Sequence, residues 1–230
     1  MGSCGDALVV LDRSLRREYS EVGLTVIKSP NKVQLQRRDD IVRAALDLFG
    51  EHGVEATRMI DIANRAGIGK GTLYLHFPTK DALFEGVIGN TLLPAVAHVA
   101  QTTDSASGSA LQQLRTQLKL MSERLSVGDM NTALRLIVTE GLKYPTVRSF
   151  YFKEVVGRGA QMIKKTIERG VETGEFTSQA AECHPIVFAG PTFMTAIWTM
   201  LFDEIEPVQR EAILDAQFKL LTSGLLGQTA

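Results

Sequence analysis

Residues 67–84 read GIGKGTLYLHFPTKDALF. Glycine beside lysine suits either a phosphate-cradling loop or a short helix that must lie close to DNA, and spacing separates the two. A Walker-type loop needs a glycine five residues before the Gly-Lys pair and Ser or Thr after the lysine. Asn64 and Gly71 occupy those places here. A dinucleotide fingerprint beginning at Gly67 or Gly69 meets Thr72 or Tyr74 in place of its last glycine, and no strand pattern precedes either start. The phosphate-loop reading fails.

A helix–turn–helix fits instead. Thr57 is placed to cap a short helix, Met59–Ala66, whose Ile62 and Ala63 point inward. Gly67 supplies the turn, a second short helix runs from about Gly69 to His76, and Pro78 blocks its continuation. Leu73 and Phe77, four apart, anchor the inner face of that second helix. Gly71, Thr72, Leu75 and His76 are left facing outward. Lys70 sits at the helix start, where its charge and the free backbone N–H groups favour a phosphate or a guanine edge. Gly71 has no Cβ and lets DNA approach the backbone. Tyr74 carries a hydroxyl suited to a phosphate oxygen, and Lys80 can clamp the DNA backbone from the flank.

The chain has 230 residues, enough for one large domain or two small ones. With 44% hydrophobic residues and 7 prolines it reads as folded rather than disordered. Cys4 and Cys183 lie far apart and match no zinc spacing, so a reduced, cytoplasmic protein without metal or cofactor is expected. The N-terminus lacks the pattern of a secretory signal, and Asp6 spoils a myristoylation motif. The longest apolar run, Ile186–Phe202, is shorter than the roughly 20 residues of a membrane span and contains Gly190 and Pro191. It reads as a buried or interface helix, with no membrane association.

The formal net charge of −1 hides an asymmetry. Residues 28–80 carry nine Lys/Arg against six Asp/Glu, while both flanking segments are net acidic. That local excess suits an anionic partner for this segment alone.

Apolar residues recur at helical spacing almost throughout, which predicts an all-α chain of about nine helices. The first helix, Gln36–His52, turns Ile41, Ala45, Leu48 and Phe49 to one side and stops at Gly53. Thr79 caps a long helix from Lys80 that continues past Pro94, where a kink is expected. Further helices are predicted over about 110–126, 129–144, 146–173, 179–203 and 207–226. Residues 1–35 read as a flexible arm, 36–82 as a three-helix DNA-binding domain, and 83–230 as a ligand-binding and dimerisation domain.

Ile41–Phe49, His52-Gly53, Asp61–Ile68, Lys70–Tyr74, His76-Phe77 and Thr79–Leu83 together resemble, in order and spacing, the TetR/AcrR family of bacterial transcriptional regulators. The resemblance covers about residues 36–85; beyond them only helix number and lengths agree. It implies that the helix at 69–76 is a recognition helix. Lys70, Gly71, Thr72, Leu75 and His76 then match positions that meet bases or backbone, Tyr74 and Lys80 match phosphate contacts, and Thr57 and Arg58 open the preceding helix. The chain departs from the family pattern at Gly69, Arg58 and Ile60. In the family the last two helices form a four-helix bundle with those of a second subunit, so a homodimer on a palindromic operator is implied.

The implied function is a repressor, bound to double-stranded DNA and released by a small-molecule effector. The apolar C-terminal region suggests a mostly hydrophobic effector, with Glu140, Arg148, Tyr151, Phe152, Phe188, Met194 and Trp198 as candidate contacts. No Glu-x-x-His, His-Glu-x-x-His or Gly-x-Ser-x-Gly occurs, so no enzyme is expected. The alternative is a helical ligand-binding or adaptor protein without specific DNA binding.

Overall fold

Helix α1 spans Lys32–His52, opening earlier than the apolar pattern suggested. Ile41, Ala45, Leu48 and Phe49 are buried along its inner side. Gly53, at φ +80°, ends it, and the Gly53 N–H donates to the Phe49 carbonyl at 2.9 Å. Only a residue without Cβ takes that left-handed conformation at little cost. In the computed structural model, residues 32–104, 108–125 and 128–226 are described. Most of the expected N-terminal arm, residues 1–31, lies outside them. Arg37–Ala230 fold as one compact unit.

Helices α2 (Met59–Arg65) and α3 (Lys70–His76) follow, joined by a turn in which Gly67 has φ +66°. The Ile68 N–H donates to the Ala63 carbonyl at 3.0 Å, tying the turn back onto α2. Helix α4 (Lys80–Asp104) then carries the chain out of the helix–turn–helix. The Thr79 hydroxyl oxygen accepts from the Ala82 N–H at 3.1 Å, the cap expected from its position. Pro94 lies inside α4 without ending it. By length and composition α4 could cross a membrane, but its inner face, from Leu83 to Val99, is buried against protein.

The remaining elements are α5 (Ala110–Leu125), α6 (Gly128–Glu140), α7 (Pro145–Phe150), a π-helical turn (Tyr151–Val156), α8 (Gly157–Glu172), α9 (Ser178–Glu182), α10 (Ile186–Phe202) and α11 (Arg210–Leu225). There is no strand among the described residues. Two expected helices are interrupted. The one predicted over 146–173 contains the π turn, and the one over 179–203 divides into α9 and α10. Pro185 explains the second break, since it has no N–H to donate and disfavours helical backbone at His184.

Two cores hold the unit together. One joins α1–α4 to α6 and α7 through Phe49, Ile62, Leu73, Phe77, Phe84, Leu136 and Val147. Within it Phe49, Phe84 and Tyr144 form an edge-to-face series, with ring centres 5.8 and 5.4 Å apart. The other packs α5, α8, α10 and α11 around Leu114, Leu118, Ile163, Phe188 and Leu225. Two buried polar links lie among these helices: Gln117 Nε2 donates to Thr166 at 2.8 Å, and the Thr192 hydroxyl donates to Gln217 Oε1 at 3.0 Å.

Candidate DNA-binding face and effector cavity

The inner side of α3 is a pair of anchors. Leu73 and Phe77 are buried, and the Arg38 guanidinium covers the Phe77 ring at 4.4 Å. With those two side chains fixed, the rest of α3 must face away from the core. Lys70, Gly71, Tyr74 and Leu75 are exposed, and Thr72 and His76 are half-buried. Leu75 is 87% exposed, leaving an apolar side chain on the outer side of α3. Lys70 Nζ stands 5.8 Å from the centre of the Tyr74 ring, so cation and phenol share one face. No carboxylate occurs on α3. The face can therefore offer an ammonium, a phenol and hydrogen-bonding side chains to phosphates and base edges, and an apolar Leu75 to a thymine methyl.

Two expectations at the edge of this face need correction. Thr57 does not cap α2. It is buried, and its hydroxyl lies 2.7 Å from the Gly53 carbonyl and 3.1 Å from that of Leu48. The side chain closes the end of α1 and is turned away from solvent. Arg58 takes the capping position with extended backbone and no side-chain cap bond, its guanidinium making a two-pronged pair with Asp61 at 2.8 Å. Lys80 is also engaged inside the protein. Its Nζ donates to the carbonyls of Val54 at 2.9 Å and Glu55 at 2.8 Å, pinning the start of α4 to the loop between α1 and α2.

The apolar cavity lies among α4, α5, α6, the π turn, α8 and α10 and encloses about 440 Å³. Leu92, Val96 and Val99 line it from α4, Met130 and Leu134 from α6, and Phe193 and Ile197 from α10. The π turn contributes Tyr151, Phe152, Val155 and Val156, and Gly159 and Ala160 leave space on α8. Such turns often mark functional sites, because the extra residue re-aims neighbouring side chains. Of the sequence candidates, Tyr151, Phe152 and Met194 line this cavity. Glu140, Arg148, Phe188 and Trp198 do not. Glu140 closes the far end of α6 in an ion pair with Lys143 at 3.2 Å, and Arg148 is exposed on α7. Phe188 belongs to the second core, and Trp198 donates from its ring nitrogen to the Glu206 carbonyl at 3.0 Å.

The cavity's polar groups are few: Arg124, His184 and the Tyr151 phenol. Burial raises the Tyr151 phenol above its ordinary pKa, so it stays a neutral hydrogen-bond donor. Arg124, in the last turn of α5, was missed because an arginine there reads as a solvated end; its position depends on how α5 packs on α4 and α6.

The turn at Gly67 and the exposed, acid-free α3 have the geometry of a helix–turn–helix. Residues 41–87 match the family of bacterial regulatory proteins of the tetR type. It is 37% identical over 78 residues to the HTH-type transcriptional repressor KstR2 of Mycolicibacterium smegmatis, a match covering 34% of this chain and 38% of that one. It is 26% identical over 144 residues to KstR2 of Rhodococcus jostii, covering 62% and 69%. The chain thus spans little more than a third of the first of these relatives. In fold it is similar to the transcriptional regulator FadR of Bacillus subtilis, solved with stearoyl-CoA, at a TM-score of 0.67 and 18% identity, covering 81% of this chain and 98% of that one.

Proposed function

We propose that this protein is a ligand-responsive transcriptional repressor that binds a palindromic operator as a homodimer and leaves it when a small, mostly apolar effector fills the α4–α10 cavity. The observation that carries the reading is the outward face of α3, with Lys70, Gly71, Tyr74 and Leu75 exposed and no acid among them. Lys70, Gly71, Thr72, Leu75 and His76 meet base edges or nearby backbone in this reading, Tyr74 meets phosphate, and Arg58 flanks them. Residues 36–82 act as the DNA-binding part and 83–230 as the effector and dimerisation part. No chemical step is required of the protein, and its place of action is the bacterial cytoplasm.

Dimerisation through α10 and α11 is supported by the apolar side chains those helices and their link leave exposed. Met194 is 58% exposed, Leu201 59%, Ile205 80% and Leu220 77%. A stripe of that kind in a soluble protein is the surface of an obligate partner. Two copies add their DNA contacts, which matters because the basic excess of one copy is small.

The effector is inferred from the cavity. Its walls are aliphatic and aromatic, and Arg124 has no ion pair or hydrogen bond among the described residues, so an apolar body with one carboxylate suits it. The stearoyl-CoA complex of the Bacillus subtilis regulator supports an acyl chain as such a body. The test is a gel shift with DNA from upstream of the protein's own gene, in the presence and absence of decanoate. A specific shift that Lys70→Ala weakens and decanoate reverses is expected. A chain that binds fatty acid but shifts no fragment in a salt-dependent way is a ligand-binding or adaptor protein instead.

A further inference from the structure

A second cavity of about 470 Å³ lies beside the first, where α4, α5 and α8 meet, and it is polar. Gln113, Arg158, Gln161, Met162, Lys165 and Arg169 dominate its walls, and no carboxylate lines it. Its cations are arranged differently from the surface pairs elsewhere. Lys164 pairs with Glu168 at 3.7 Å, whereas its neighbour Lys165 has no ion pair among the described residues. The Arg169 guanidinium is fixed by neutral acceptors, donating to Gln113 Oε1 at 2.9 Å and to the Gly108 carbonyl. Those bonds orient the guanidinium; the nearest carboxylate it acts on, Glu175, lies outside the groove's walls. Arg158 does pair, with Glu154 at 2.5 Å, on the edge of the groove. Charge held in place by amide and carbonyl oxygens is available to an incoming anion, and an arginine fork with a lysine suits phosphate.

Met162 lines both cavities. One unbranched, flexible side chain therefore stands between an apolar chamber and a cationic groove, and such a side chain can rearrange at small cost. We infer that the groove seats a phosphate-bearing head group whose apolar tail occupies the first cavity, so that one amphiphile spans both past Met162. This rests on the effector reading above and revises its polar end: the apolar tail stays in the first cavity, but its carboxyl is carried as a phosphorylated conjugate in place of the free carboxylate.

Calorimetric titration of the full chain with decanoate, decanoyl-coenzyme A and inorganic diphosphate tests it. The thioester should bind at least about tenfold more tightly than decanoate, the scale of one charge-assisted contact. Lys165→Gln and the double variant with Arg169→Gln should remove that advantage and leave decanoate binding unchanged, which also shows that the variants fold. Equal affinity of thioester and acid, or an advantage that survives both variants, overturns the inference. Diphosphate binding as tightly as the thioester overturns it too, by giving the groove to a free anion. Release of DNA is read separately: if neither ligand releases it while the thioester advantage is present, the effector reading fails and the groove stands.

Discussion

Arg135 donates from Nη2 to the Gly50 carbonyl at 2.7 Å, joining helix α6 to helix α1. The same α6 places Met130 and Leu134 in the apolar cavity. Just beyond its end, Lys143 pairs with Glu55 at 3.0 Å, in the loop leading to α2. One rigid element thus touches both the apolar cavity and α1, which is the physical requirement for coupling the proposed effector site to the proposed DNA-binding face. Arg135→Ala should leave decanoate affinity unchanged while shrinking the effector's influence on operator affinity. Allosteric couplings typically change affinity about 5–150-fold, and the variant should fall toward no change. Operator titrations with and without ligand measure it.

Gly71→Ala separates folding from recognition. A Cβ added at Gly71 meets nothing within 4 Å, so the protein itself has room for it. Alanine is the better helix former, and thermal unfolding should show an unchanged or higher midpoint, by up to about 1 kcal/mol in stability. Operator affinity should fall roughly tenfold or more, because the methyl would stand in the way of the close backbone approach proposed for α3.

Gly86→Ala should instead act through stability. Its Cβ would lie 2.6 Å from the Phe77 ring, and that ring is already buried and covered by Arg38 at 4.4 Å. Overpacking of this kind costs about 1–3 kcal/mol. Denaturant unfolding is the check, and DNA binding should weaken with it because Phe77 anchors the recognition helix.

Glu175 ties stability to acid. Burial opposes its ionisation, but the Leu111 and Ala110 N–H groups, the Ser109 hydroxyl and the nearby Arg169 outweigh it, and its pKa lies below the ordinary carboxylate value. The carboxylate accepts from the Ala110 N–H at 2.7 Å and the Leu111 N–H at 2.9 Å, closing the start of α5. A depressed folded-state pKa gives stability that is present above the unfolded value, about 4.5, and lost as pH falls through the folded one. Thermal midpoints should therefore drop below about pH 4.5, and Glu175→Gln should flatten that fall.

The helix–turn–helix was legible because its signals are local. Gly53 and Gly67 are the left-handed residues, Pro78 and Thr79 mark a stop and a start, and Leu73 and Phe77 are spaced as a helical face. The exposed residues of α3 follow from those anchors. The cavity was less legible because it is made by five helices and a π turn that meet only in the folded chain. Tyr151, Phe152 and Met194 lie among its lining residues, yet Glu140 and Arg148 look equally polar and plausible in sequence and are placed elsewhere by the ends of α6 and α7. Thr57 and Lys80 show the same limit at short range. Their types suit a cap and a phosphate contact, but nearby backbone carbonyls take their hydrogen bonds. Nothing in residue type or spacing announces that choice.

In the proposed mechanism α3 holds operator DNA and an apolar ligand releases it. Fluorescence anisotropy of labelled DNA from upstream of the protein's gene, titrated with the full chain at several salt concentrations, tests it most directly. Saturable, sequence-specific binding is expected, with a salt slope that Lys70→Ala reduces by about 1 and weaker binding in saturating decanoate or its thioester. Binding that is absent on every fragment, or that neither Lys70→Ala nor either ligand alters, would contradict it.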